Sequence, residues 1–336
     1  MKSCKNAERY QGIFPPRCNG GDPCDSCKEK YQMRHGGQVN EALAALMSNT
    51  RDEILDVPVR PLNITFPKPA QRSEGNLITA LLWGDTHFPN QSDESLAIVH
   101  AVAQDIQPHF LIHMGDLIDA TDLSEKFKKN PARKETLQDE INMGRTHLAH
   151  MRQAVPDAKF VLLEGNHEER MKRVLWNMEG PAKALSVLTE VNKAMSWPVL
   201  LGLAQLDIEF IPYGEQSKHL FLPKFLVKHG SVIRQNSSYT AHAEWRKYGK
   251  SGASGHTHRL GQFYHRDLNG NQLWLETGCT CKLEAEYAPD SDWQNGFVIM
   301  TFEPTTGAFQ AETIYIHNGF AVCREKKYGA RPITKE

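Results

Sequence analysis

The chain contains no run of about 18 apolar residues, and its first ten, Met1 to Tyr10, are polar and charged with no apolar stretch of the kind a leader needs. A bilayer-spanning helix and a secretory leader are not expected, so the reading is a soluble, cytoplasmic protein. Charge of one sign is also missing: 39 Lys and Arg stand against 40 Asp and Glu, for a formal net charge of −1. No global basic field holds such a chain on nucleic acid, and any contact of that kind needs a local patch. Cysteine is scarce, with seven in 336 residues. Cys4, Cys18, Cys24 and Cys27 crowd one end and Cys279, Cys281 and Cys323 lie far downstream, which argues against a disulfide framework. There is no Gly-x-Ser-x-Gly elbow, no Gly-x-Gly-x-x-Gly and no complete Walker-type phosphate loop. No internal repeat or low-complexity tract stands out.

An apolar fraction of 40% in a chain of this length supports one α/β catalytic domain with appendages. Residues 1–73 read as an N-terminal appendage and linker, with a short helical pattern at Val39 to Leu46 and prolines at 58, 61, 67 and 69. Residues 74–320 read as the main domain and 321–336 as a C-terminal tail. Within the domain, Leu77 to Trp83, Phe110 to Met114 and Phe160 to Leu163 predict buried strands, while Glu94 to Gln104 and the charged stretch Pro131 to Ala154 predict helices. Strand-helix-strand alternation implies a parallel sheet. Later come Leu220 to Lys228, a helix over Tyr239 to Tyr248, and an Asn269-Gly270 hairpin signal between Gln262-Phe263-Tyr264 and Leu273-Trp274-Leu275. Phe297 to Phe302 and Ala311 to Ile316 follow as strands.

The informative feature is a series of polar clusters, each where a predicted strand ends: Gly84-Asp85-Thr86-His87, Gly115-Asp116-Leu117-Ile118-Asp119, Gly165-Asn166-His167-Glu168, His229-Gly230 and Gly255-His256-Thr257-His258. In an open α/β sheet the carboxyl ends of the strands face one crevice, so loops spread over about 170 positions can converge there. Imidazoles and carboxylates together are the usual ligands of zinc, manganese and iron, and a carboxylate can bridge two ions. Glycine beside a ligand lets the backbone turn sharply. One such cluster is more often a hydrogen-bonded core histidine than a ligand; five in order are hard to explain structurally.

In that order and spacing the clusters resemble the signature of the calcineurin-like metallophosphoesterase superfamily, over about Leu77 to Phe302. The stretch from His229 through Gly255-His256-Thr257-His258 to Trp293 also resembles phage- and prophage-encoded members, for which the compartment would be the host cytoplasm. The resemblance implies a four-layer αββα sandwich and two divalent ions, Mn2+, Zn2+ or Fe2+. It implies that one ion is held by Asp85, His87 and His258 and the other by Asn166, His229 and His256, with Asp116 bridging. It further implies that His167 lies against the scissile phosphate, stabilising its charge or protonating the leaving oxygen, and that Asp119 orients it. Glu168 stands where many relatives carry Asp, which bears on the orientation of His167. Ions about 3.5–4 Å apart activate a bridging hydroxide for in-line attack.

Among substrates, a phosphodiester in DNA or RNA comes first, a small phosphomonoester or cyclic nucleotide second and a phosphoprotein third. A non-catalytic, metal-stabilised nucleic-acid-binding module is the alternative of another class. The Cys24-Asp25-Ser26-Cys27 spacing suits a structural zinc held by Cys4, Cys18, Cys24 and Cys27, with His35 able to replace one, against inert cysteines as the plain alternative. Lys126 to Lys129 with Arg133 and Lys134, and Trp245 to Lys250, mix cations with aromatic rings as a single-strand contact would, although a charge run is usually a solvated face. His147 and His150 read as surface residues and His113 as a strand residue. Cys279 and Cys281 either line the crevice or only pack.

Overall fold

Alternation decides which way each strand faces. In β1 (Ile78–Trp83), Ala80 and Leu82 point to one side and Leu81 and Trp83 to the other, all buried. β2 (Phe110–His113) and β3 (Lys159–Leu163) follow in parallel register, β1 to β2 to β3. β10 (Gly296–Phe302) runs antiparallel along the free edge of β1, and β11 (Phe309–Tyr315) along β10. With β4 (Ile208–Ile211) the six-stranded sheet has the order β11-β10-β1-β2-β3-β4. This computed structural model describes residues 77–126, 130–218, 220–222, 225–268, 270–284 and 290–329. The site lies in the larger of two compact units, Leu62–Gly202 with Glu209–Glu336; of the smaller, 203–208 are described. The appendage at 1–73, including Cys4, Cys18, Cys24, Cys27 and the helical pattern at Val39 to Leu46, lies outside the described residues, as do Phe127 to Lys129 and Asn269.

A second sheet of five strands has the order β5 (Leu220–Leu222), β6 (Phe225–Lys228), β7 (Ser251–Ser254), β9 (Gly270–Thr277) and β8 (Leu260–Asp267). β6, β7 and β9 run parallel, and β8 closes the hairpin with β9. The sheets share one core, in which Leu82, Ile112 and Leu163 meet Phe225, Val227 and Leu275. Their outer faces carry helices. On the first sheet, α2 (Leu137–Ala154) lays His147 against Trp83 at 6.2 Å and Arg152 over Phe160 at 5.6 Å, and α1 (Asp93–Ile106) joins it where Gln107 donates to the Ala154 carbonyl at 2.9 Å. Four short helices follow β3: α3 (Arg170–Trp176), α4 (Gly180–Ser186), α5 (Thr189–Ala194) and α6 (Trp197–Leu200). On the second sheet, α7 (Tyr239–Tyr248) packs Ala241, Trp245 and Tyr248 on Leu226 and Trp274. Helix, sheet, sheet, helix is the αββα sandwich.

Three local features differ from the sequence reading. The helix expected from Pro131 starts only at Leu137, because Thr136 and Asp139 form a reciprocal capping box there. His147 is buried at 4% exposure between Trp83 and Phe88, since its face of α2 is the sheet-facing one. Residues beyond 320 include a hairpin, β12 (Phe320–Cys323) with β13 (Lys326–Gly329), whose Lys326 and Tyr328 bind Asp105 at the end of α1. β7, which has no apolar run, is made of small residues because Trp274 crosses it. A Cβ on Gly252 would meet the Trp274 ring at 2.7 Å.

Candidate metal centre

Two loops at the carboxyl ends of β1 and β2 extend the strand pairing past the sheet. Asp85 N donates to Gly115 O at 3.0 Å, Thr86 N and His87 N both to Asp116 O at 2.9 and 3.0 Å, and Phe88 N to Leu117 O at 2.9 Å. To turn their side chains up into the crevice, Asp85, His87 and Asp116 take left-handed φ of 49°, 53° and 51°. His256 and His258, after β7, do the same at 72° and 58°. Such backbone is costly for residues with a Cβ and clusters at functional sites. The third loop approaches so closely that a Cβ on Gly165 would lie 2.0 Å from Asp116 Oδ1.

Every described residue of the expected site arrives in this crevice. Asp116 Oδ1 accepts from the His167 amide at 3.0 Å. Its Oδ2 is left facing imidazoles: His229 Nε2 at 3.3 Å, His87 Nε2 at 3.6 Å and His167 Nε2 at 3.9 Å. On one side, His87 Nε2 lies 3.0 Å from His258 Nε2, which is 3.3 Å from Asp85 Oδ1. On the other, His229 Nε2 lies 3.0 Å from Asn166 Oδ1, and His256 can offer a nitrogen to the same point as Asp116 and His229. The His256 amide donates to both Asp85 oxygens at 3.0 Å, which ties the last loop to the first.

This donor set fits divalent cations. His229 Nδ1 is 2.9 Å from the Met114 carbonyl, which can only accept, so Nδ1 carries the hydrogen and Nε2 faces two oxygens. A cation at Nε2, whether a metal ion or a proton, suits that arrangement. Without metal a proton takes the place: burial works against it, but Asp116 and Asp85 push His229 up to about 9. Burial likewise opposes ionisation of Asp116, yet His229, His167 and His87 hold it well below the usual carboxylate range. Burial, helped by His229, takes His256 down to about 4, leaving a neutral ring with a free lone pair.

His167 is 14% exposed and is placed by its neighbours. Its Nδ1 lies 2.7 Å from the Asp119 carbonyl, which Arg170 also binds at 2.8 Å, so Nε2 is turned to the crevice. Asp119 Oδ1 is 3.3 Å from both His167 Nδ1 and His87 Nδ1, and its Oδ2 is held by Arg133 at 3.1 Å and Asn90 at 3.1 Å. Burial opposes protonation of His167, but Asp116 and Asp119 outweigh it and raise its pKa.

Sequence reasoning missed several supports. Glu168 is buried and accepts from the amides of Gly165 at 2.8 Å, Asp116 at 3.1 Å and Ile118 at 2.8 Å, so it clamps two loops of the crevice. Arg133, in a charge run for which a solvated face is the usual reading, is instead mostly buried and pairs with Asp119 and Glu140. Cys281 Sγ sits 3.8 Å from His258 Nδ1, with Cys279 beside it. In the segment Trp245 to Lys250 the rings of Trp245 and Tyr248 pack inward on Leu226 and Trp274, while Arg246, Lys247 and Lys250 are exposed.

The sandwich and the histidine-carboxylate crevice together define a class. A family model for calcineurin-like phosphoesterases matches residues 78–260, more than half the chain, and the protein belongs to that family: it is a metal-dependent hydrolase of phosphate esters. Among curated proteins it is similar to the gene 54 protein of Mycobacterium phage L5, 28% identical over 232 residues, 65% of this chain and 87% of that protein. The gene 54 protein of Mycobacterium phage D29 is 26% identical over 231 residues, with the same coverage. Solved structures that overlap it include a Vps29 variant from Entamoeba histolytica (12% identity, 75% of this chain and 99% of that chain, TM-score 0.39). The nuclease MPE of Pseudomonas putida is another (15%, 69% and 87%, TM-score 0.30). Among the described residues no helix is long and apolar enough to cross a membrane.

Proposed function

We propose that the protein hydrolyses a phosphodiester at a dinuclear centre, with nucleic acid as the substrate class. One ion would be held by Asp85, His87 and His258, the other by Asn166, His229 and His256, with Asp116 shared. Manganese, zinc and iron(II) all suit these donors. The observation that carries the reading is Asp116 Oδ2, which lies between His87 Nε2 at 3.6 Å and His229 Nε2 at 3.3 Å. When bound, two such ions supply Lewis acidity to the phosphoryl oxygens and make water more acidic.

The chain's own residues do the rest. Asp116 would offer Oδ2 to the ions, while its Oδ1 is pinned by the His167 amide. His167, turned by the Asp119 carbonyl and raised in pKa by Asp116 and Asp119 against the effect of burial, would present an Nε2 hydrogen to the crevice. That hydrogen supports the phosphate charge and passes to the leaving oxygen as the ester bond breaks. Asp119 and Arg170 act through His167 as positioning residues.

The test is hydrolysis of bis-(p-nitrophenyl) phosphate beside the p-nitrophenyl monoester, with manganese, zinc or EDTA, followed by single- and double-stranded DNA. Diester and DNA cleavage abolished by EDTA is expected. Preference for the monoester would replace the reading with a phosphomonoesterase.

A further inference from the structure

Helix α7 turns the rings of Trp245 and Tyr248 inward and its cations outward. Trp245 lies 5.2 Å from Phe263 and 3.9 Å from His265, and Tyr248 stacks on buried Trp274 at 5.8 Å. The outer face, with Tyr239, His242, Arg246 and Lys247, closes with Arg234 around a concavity of about 420 Å³. Arg234, Arg246 and Lys247 are exposed, and none has a carboxylate partner among the described residues. Elsewhere Arg133, Arg173, Arg259 and Arg324 each lie against one. Lys247 Nζ lies 5.2 Å from the Tyr248 ring centroid, and the concavity gathers positive charge that no carboxylate among the described residues neutralises.

It is also fastened to the metal ligands. Glu276, fully buried, accepts from Thr257 Oγ1 at 2.9 Å with one oxygen and from the Ser238 amide at 2.6 Å with the other. Thr257 stands between His256 and His258, and Ser238 begins α7, so one carboxylate joins the ligand loop to the helix that lines the concavity. Arg259, next after His258, donates to the Arg234 carbonyl at 3.1 Å. Arg234 follows His229 by five residues, a separation of at most about 18 Å along the backbone. A small ester cannot reach both places, but an extended polyanion can.

We propose that this concavity is a second phosphate subsite, holding the backbone of single-stranded nucleic acid a few nucleotides from the scissile bond. The proposal rests on the phosphodiesterase reading. Cations at Arg234, Arg246 and Lys247 track the phosphates, and Tyr239, 59% exposed, offers a ring to an unstacked base. An unstacked base is what a single strand has and a duplex lacks.

The experiment is fluorescence anisotropy of a fluorescein-labelled thymidine 12-mer with the full chain in EDTA, so that binding is read without turnover. Arg246→Glu/Lys247→Glu should weaken binding at least about tenfold and flatten the salt slope by about 0.7 for each phosphate no longer neutralised. Tyr239→Ala should weaken it by about tenfold. With metal restored, the charge variant should lower the ratio of kcat/KM for the 12-mer to that for bis-(p-nitrophenyl) phosphate by a similar factor. Unchanged binding by the charge variant would overturn the subsite, as would equal affinity for a duplex or for polyglutamate. A fallen melting temperature that Arg246→Lys restores without restoring binding would also overturn it. A wild type that binds the 12-mer yet turns over no diester with any metal would overturn the phosphodiesterase reading and uphold the subsite.

Discussion

His229 Nε2 and Asp116 Oδ2 lie 3.3 Å apart, and the Met114 carbonyl on the far side of the imidazole fixes which nitrogen faces the carboxylate. The pair can share a proton or a metal ion, and the two compete for one place.

That competition predicts a pH dependence of metal uptake. His229 is raised to about 9 in the metal-free protein, so below that pH the ion must displace a proton. Affinity for manganese or zinc should rise by about tenfold per pH unit between pH 6.5 and 8.5. Calorimetric titration in buffers of different ionisation enthalpy counts the proton released; none released would refute the assignment.

On the two-ion reading, Asp116→Asn removes the charge that the two ions would share. Metal content after dialysis, measured by mass spectrometry, should drop at both positions, with activity down by about a hundredfold or more. An unchanged stoichiometry would show that Asp116 does not bridge.

His167→Ala should leave metal content intact while lowering turnover by about 100-fold to 10,000-fold. If His167 is the general acid, loss of its proton would produce the alkaline limb of the pH–rate profile, and that limb should vanish in the variant. Full activity in this variant would remove His167 from the mechanism.

Glu168→Ala would strand the amides of Gly165, Asp116 and Ile118 in a buried setting. Urea unfolding should show a loss of about 2–4 kcal/mol, and metal occupancy should fall with it. Stability within about 0.5 kcal/mol of wild type would show that water replaces the clamp.

His100 and His147 predict acid lability away from the metals. Burial takes His100 down to about 4 and His147 well below its ordinary value, so both are neutral when folded but take up a proton near pH 6.5 when unfolded. The unfolded state then binds more protons below pH 6.5, and stability falls as pH drops from there towards the folded values. About 1–2 kcal/mol per histidine should be lost by pH 5. Denaturant midpoints at pH 7.5 and 5.0 measure this, and His147→Phe, placed between Trp83 and Phe88, should lessen the difference.

The residues that meet in the crevice were legible because they sit where apolar runs stop: Asp85 follows Trp83, Asp116 follows Met114 and Asn166 follows Leu163 by a few residues. The supports were not. Glu168 works through main-chain amides, and nothing in a side-chain pattern marks such partners. β7 escaped because Ser251–Ser254 is small rather than apolar, a demand set by Trp274 from another strand. The helices between Arg170 and Leu200 escaped because Leu185, Val187 and Leu188 are exposed at 56%, 68% and 45%, leaving no periodic buried stripe. Helical spacing likewise cannot say which face of α2 His147 occupies.

Asp85, His87, Asp116, His256 and His258 hold left-handed backbone together, each at a cost of order 1 kcal/mol. On the two-ion reading, the ions offset that cost once they bind, so part of their affinity is folding free energy. Metal supply then acts on abundance as well as on rate: a cell short of the right ion would hold fewer folded copies of this protein, and those copies would be the first to reach its proteases.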